Sequence, residues 1–170
     1  MTAFADSMDR DANSQVLTGD YPFRTKRTIT FAGATAGAWG NDGGALDGAA
    51  IFTVTGVVQI KVLAVVTTSL AGASATLAVG FATQTTIFLP TETGTDLDAG
   101  QIWLNDATTA AYQIVGEEAA AADNLPEYLL NGQDIILTIA GGANVDSGVI
   151  DFYAFWRPIS DDGSVVATTT

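Results

Sequence analysis

The side chains of this 170-residue sequence that can do acid–base or metal chemistry are almost all carboxylates. Two acids held on either side of a sugar can hydrolyse a glycosidic bond, one protonating the leaving oxygen and the other attacking or activating water. Glu92, Asp96, Asp98, Glu117 and Glu118 are the candidates for that role. They fall in stretches that read as loops or turns, and nothing in their spacing marks a pair held across a cleft. Calcium binding is the other use of such groups, because it takes hard oxygen ligands. The segments "WGNDGGALDG", with Asn41, Asp42 and Asp47, and "TGTDLDAG", with Asp96 and Asp98, are Asp/Gly loops of that kind. Neither matches the D-x-[DN]-x-[DN]-G loop, and Asp, Asn and Gly also form β-turns for conformational reasons alone. The conformational reading is the one adopted for both.

Other chemistry is closed by composition. With no His, the commonest general base and metal ligand is missing, and so is every Ser-His arrangement. With no Cys, thiol nucleophiles, disulfides and zinc–thiolate or iron–sulfur sites are missing too. Neither a G-x-x-x-x-G-K-[ST] loop nor a strand–GxGxxG–helix unit occurs. The expectation is a non-enzymatic protein without cofactor or metal.

Charge narrows the partners. Six Lys and Arg face 19 Asp and Glu, a formal net of −13. Such a surface repels nucleic acid and anionic membranes, which need clustered cations to displace counterions. Three of the cations sit together in "FRTKRT", as Arg24, Lys26 and Arg27. This group reads as an anchor onto an acidic protein neighbour or as a solvated strand edge. The first 15 residues lack the basic start and apolar core of a signal peptide. The apolar run at 57–66 is broken by Gln59 and Lys61 and is too short to span a bilayer.

The elements that position these groups are strands, since the hydrophobic period is two. In "RTITFAG" Ile29 and Phe31 share one face, and Thr28 and Thr30 the other. "VVQIKVLAVVTTSL" puts Val58, Ile60, Val62, Ala64 and Val66 on one side, with Gln59 and Lys61 on a wet side. "SATLAVGFAT" continues the alternation, and the two stretches predict a hairpin around "TSLAGAS". Shorter strands follow at "TTIFLP", "QIWL", "TAAYQIVG" and, after an Asn131-Gly132 turn, "DIILTIA"; "GGANVDSG" then turns into the last strand. Residues 117–124, "EEAAAADN", form the one credible helical turn. Turn signals at this spacing predict an all-β protein, a β-sandwich or jelly-roll-like body of about eight to nine strands. An N-terminal arm at 1–24, the body at 25–166 and a polar tail at 167–170 complete the division, with "DDGSVVATTT" trailing the last strand.

The last strand, "DFYAFWRP", is aromatic on both sides. Phe152, Ala154 and Trp156 share one face; Tyr153, Phe155 and Arg157 share the other. Two readings fit: a central strand between two buried layers, or a strand with its inner face in the core and its outer face on another subunit. The second makes Tyr153, Phe155 and Arg157 the candidate subunit contact. Arg157 on such a face calls for a ring to stack on or a carboxylate to meet. Pro158, having no N–H to donate, ends the ladder.

The blocks "TFAGATAGAWGNDGGALDG" and "IFTVTGVVQIKVLAVVTTSLAGASATLAVG", closed by "GGANVDSGVIDFYAFWRPISDDGSV", resemble a family of small structural proteins of tailed bacteriophages, the capsid decoration or cement proteins. The likeness spans residues 28–166, and its most specific part is G-x-I-D-F-Y-x-x-W-R-P-I-S-x-D-G at 148–163. The resemblance implies a homotrimer on the outer surface of a virion, with the major capsid protein as partner. It makes the N-terminal arm a capsid-facing segment, with Phe4 and Met8 as apolar anchors leading to Arg24, Lys26 and Arg27. From another class, a carbohydrate-binding module touching host glycans would use exposed aromatics beside a calcium loop. A glycoside hydrolase fragment would need a deep acidic cleft.

Overall fold

The computed structural model describes residues 21–33, 35, 37–105, 112–114 and 125–169. Phe4 and Met8, the expected helical turn at 117–124, and Glu117 and Glu118 within it lie outside the described residues. The described residues form twelve strands: β1 (Phe23–Ala32), β2 (Gly40–Asn41), β3 (Ala50–Thr55), β4 (Val57–Gly72), β5 (Thr76–Phe81), β6 (Gln84–Thr93), β7 (Ile102–Leu104), β8 (Tyr112–Ile114), β9 (Tyr128–Asn131), β10 (Ile135–Ala140), β11 (Asn144–Pro158) and β12 (Ser164–Ala167). They build two antiparallel sheets, a β-sandwich as expected from the period of two. The larger runs β1-β11-β4-β7-β8, with β2 added to β11 and β9 added to β4; the smaller runs β12-β3-β10-β5-β6.

Alternation explains which side of each strand is dry. Along β4, Val58, Ile60, Val62, Ala64 and Val66 are buried while Gln59, Lys61, Leu63 and Val65 are only half-buried. Phe152 and Ala154 of β11 join them inside, against Phe52 of β3 and Leu137 of β10 in the other sheet's share of the core. Trp156 stacks on Phe23 with centroids 4.6 Å apart. Its Nε1 donates to Thr25 Oγ1 at 3.0 Å, and that hydroxyl donates in turn to the carbonyl of Val165 at 2.9 Å. One side-chain relay therefore ties β11, β1 and β12 together across the two sheets.

The architecture departs from expectation in several places. Strands among the described residues number twelve rather than eight or nine, because short pieces such as β2 and β12 carry too few residues for a periodic signal. The hairpin expected between β4 and β5 does not form: β4 belongs to the large sheet and β5 to the small one. The end of β4 stays bound to β11, Val145 opposite Gly72 and the Ala73 N–H donating to Asn144, so the chain crosses to the other sheet and pairs with β6 and β10. The "DDGSVVATTT" segment does not merely trail the fold, since its β12 pairs with β3 and buries Val165. Finally, the last long strand begins at Asn144, inside the expected turn "GGANVDSG".

That strand bends at Gly148, where its register against β4 shifts. Gly148 has φ of +118°, and a Cβ there would stand 2.8 Å from Leu70 Cα and from the Ser69 carbonyl. Only glycine satisfies both the backbone and the close approach. The opening strand starts at Phe23, so Arg24, assigned to the arm, already lies within β1.

Candidate interaction surface

The carboxylates with catalytic or calcium-binding potential are engaged elsewhere or stand apart. Glu92 on β6 is half-buried and accepts the Thr93 N–H at 3.1 Å. Burial and, to a lesser degree, the Asp96 charge push its carboxyl above the usual range, against the Thr93 N–H that pulls it down. Asp96 and Asp98 are exposed on the turn after β6. None of these three acids lines the cavities beside Arg27 and Leu46, beside Phe81 and Ile136, or beside Trp39 and Asp42. In the first Asp/Gly loop, Asp47 Oδ1 accepts the Ile139 N–H at 2.8 Å and Oδ2 the Gly43 N–H at 3.1 Å. Asp42 Oδ2 accepts the Gly142 N–H at 3.0 Å. These oxygens bind backbone donors of the loop, of β10 and of the turn after β10, the work a turn requires. Among the described residues no three acids gather as metal ligands.

The outer face of the large sheet is a different kind of surface. Register sets Arg24 against Phe155, Lys26 against Tyr153 and Thr28 against Asp151 across β1 and β11. On the other side of β11, Phe155 faces Lys61, Tyr153 faces Leu63, and Arg157 faces Gln59. Beyond β4, Gln59 faces Leu129, which is 68% exposed. Aromatic and aliphatic side chains thus occupy the middle of the face, with four cations distributed among them.

The cations are held, but lightly. Lys26 Nζ lies 2.8 Å from Asp151 Oδ2 and 5.7 Å from the Tyr153 ring centroid; Arg24 Cζ lies 5.9 Å from the same centroid. Lys61 Nζ lies 2.8 Å from Glu127 Oε1 and 4.9 Å from the centre of the Tyr21 ring. Arg157 Nε donates to Gln59 Oε1 at 2.7 Å, and the Gln59 amide donates to Glu127. Burial pushes the Asp151 carboxyl up, but hydrogen bonds from Lys26 and Thr28, with the Lys26 charge, outweigh it and leave it below the usual range. The hydrogen bond to Asp151 likewise raises Lys26. The hydrogen bond from Lys61 first, then the nearby Tyr21 hydroxyl and the Gln59 amide, lower Glu127 to about 2.

Of the residues singled out from sequence, Tyr153, Phe155 and Arg157 share this face with Arg24 and Lys26, so the expected subunit contact and part of the expected capsid anchor form one surface. Arg27 does not belong to it. It points to the inner side of β1, is 7% exposed, and donates to Thr168 Oγ1 at 2.6 Å. Lys61, Gln59, Glu127 and Leu129 complete the face through strand pairing. Alternation alone puts Lys61 on the wet side of its strand, but the partner it meets there has no local signal.

Comparison with protein-family models, with curated proteins and with solved structures finds no match.

Proposed function

We propose that this chain is a non-enzymatic structural protein of a tailed-phage virion, a homotrimer that decorates the outside of the capsid and cements contacts between major capsid subunits. The observation that carries this reading is that the stretch with the most specific family resemblance, residues 148–163, includes most of β11, the strand whose outer side carries Tyr153, Phe155 and Arg157. A compact two-sheet body with a broad mixed face suits a protein that works by many modest, repeated contacts, because multivalency multiplies weak single-site affinity. Engagement of Asp42 and Asp47 by backbone donors also favours a structural reading of that loop over a ligand site.

The test is cosedimentation of the purified protein with isolated capsids that lack it. Saturable binding at a fixed ratio to capsomers, with raised resistance of the particles to heat, is the expected result. Capsids that pellet without the protein at any concentration would remove the proposal.

A second reading, a carbohydrate-binding module, draws on Tyr153 and Phe155 beside the hydrogen-bonding side chains of Gln59, Glu127 and Arg157. Against it, Arg24 and Lys26 stand over the Tyr153 ring, where a sugar would stack. Retardation on immobilised polysaccharide, lost in Tyr153→Ala, would favour it.

A further inference from the structure

Charge is distributed very unevenly over this molecule. Arg24, Lys26, Lys61 and Arg157, four of the six cations, stand on the outer face of the large sheet, where Asp151 and Glu127 are the paired carboxylates. Among the described residues, four cations against two carboxylates leave that face at a formal +2, while Arg27 and the other nine acids leave the remainder at −8. A second, opposite pole lies at the far end of the same sheet. There Leu97 accepts the Leu70 N–H, the Ala99 N–H reaches Ser69, and Val145 pairs with Gly72, so Asp96, Asp98 and Asp146 stand on segments tethered to the end of β4. Asp42 joins them through Gly142. All four are exposed.

We infer that the cationic face of one copy docks on this acidic end of a second copy, head to tail. The inference deepens the proposed trimer and rests on it. In a cyclic trimer each contact joins two different surfaces of the chain, because only a two-fold axis matches a surface with itself. The cationic face and the acidic end are two such surfaces, complementary in sign. Packing the face against itself would instead set Arg and Lys of one copy against those of the next, which costs affinity. Neither pole neutralises the other within a copy: from Leu63, the register position of Lys26, to Ser69, which holds Ala99, the strand covers about 20 Å at roughly 3.3 Å per residue, more than twice the Debye length of about 8 Å at physiological salt. The face also has the anatomy of a contact. Phe155, Leu63, Val65 and Leu129 are its apolar residues, and the charges are interleaved with them.

The test is native mass by light scattering across protein and salt concentration, on the wild type and two surface variants. One variant carries Arg24→Glu with Arg157→Glu, the other Asp96→Lys with Asp98→Lys; thermal unfolding by circular dichroism checks that each is folded. The expected wild-type mass is three times 17.5 kDa, falling as salt rises. Each variant alone is monomeric, and an equimolar mixture of the two associates, since one supplies an intact face and the other an intact acidic end. If the face variant fails to fold, the acidic-end variant still decides the matter. A wild type that stays monomeric, a trimer that survives both variants, or a mixture no larger than its parts overturns the inference. A monomer that binds capsids would defeat the head-to-tail contact and show that the acidic partner is the shell. A charge-dependent trimer that ignores capsids would keep the contact and defeat the proposed function.

Discussion

Phe152 and Phe155 stand three residues apart on β11 and face opposite ways, so truncating each to Ala reads the two sides of the sheet separately. Phe152 is 0% exposed and sits among the residues that join the two sheets. Its removal loses the transfer energy of the ring and leaves a cavity, a cost of about 3–5 kcal/mol for Phe→Ala in a packed core. Phe155 is half-buried on the outer face, flanked by Arg24 and Lys61. Full burial of a Phe is worth roughly 1.5–3 kcal/mol, and half of that sets its loss at about 1 kcal/mol. For a domain of this size each kcal/mol moves Tm by about 2–4 °C, so Phe152→Ala should lower it by about 6–20 °C and Phe155→Ala by about 2–4 °C.

Urea unfolding followed by circular dichroism measures the same difference, with the midpoint shifted and the slope unchanged in both variants. The measurement belongs at several protein concentrations. The loss in Phe152→Ala should be independent of concentration, because the cavity is inside one chain. The loss in Phe155→Ala should grow with concentration where copies associate, as mass action requires of a contact between chains. Equal, concentration-independent losses in the two variants would refute the assignment of inner and outer faces.

Stability should also fall in acid. Asp151 and Glu127 have folded pKa values below the usual carboxylate range, so their contribution is present above that range and is lost as pH falls through the folded values, toward about 2 for Glu127. Glu92 is raised and works the other way, gaining as it protonates; Asp151→Asn should therefore flatten the acid limb of Tm against pH without abolishing it. Lys26 is raised, so its contribution holds below the usual lysine value and disappears as pH climbs through the folded one, a loss visible in alkaline melting of the wild type and absent from Lys26→Met. Gly148→Ala places a Cβ against Leu70 and Ser69 at a positive φ, and should cost about 2–4 kcal/mol by urea titration. Asp47→Ala strands the Ile139 and Gly43 N–H groups and should cost about 1–3 kcal/mol, whereas calcium or a chelator should move the wild-type Tm by less than about 1 °C.

What could be read in advance follows the physics of alternation. The dry side of β4, from Val58 to Val66, and the two sides of β11 are legible because each residue's face depends only on its neighbours two positions away. Pairing depends on residues far along the chain, and there sequence reasoning misled: Leu77 and Val79 point inward whether their strand pairs with β4 or, as it does, with β6 and β10. The same gap hid the candidate surface. Arg24 and Lys26 read as one basic group with Arg27, Lys61 as a wet strand position, and Leu129 draws no reading at all. Only the register of β1 on β11, and of β4 on β11 and β9, makes them neighbours. Arg27 shows the complementary error, since three cations in four positions look like one group until the pleat sends one of them inward.

Edge protection is the competing account of these cations, and it explains only half of them. Among the described residues the strand β1 forms one edge of the large sheet, and Lys or Arg on an edge deters another chain from adding to its ladder. Arg24 and Lys26 would serve that purpose wherever the face pointed. Lys61 and Arg157 stand on strands flanked on both sides among the described residues, β4 by β11 and by β7 and β9, β11 by β1 and β4, so neither strand is an edge of the sheet. Each instead sits within a row of apolar and amide neighbours, Lys61 across from Phe155 and Arg157 across from Gln59. Holding two long cations there confers little stability on the isolated chain, since exposed ion pairs are worth about 0–1 kcal/mol. In a chain of net −13, cations on interior strands gain most when an acidic surface covers them, and the apolar residues between them gain from the same cover.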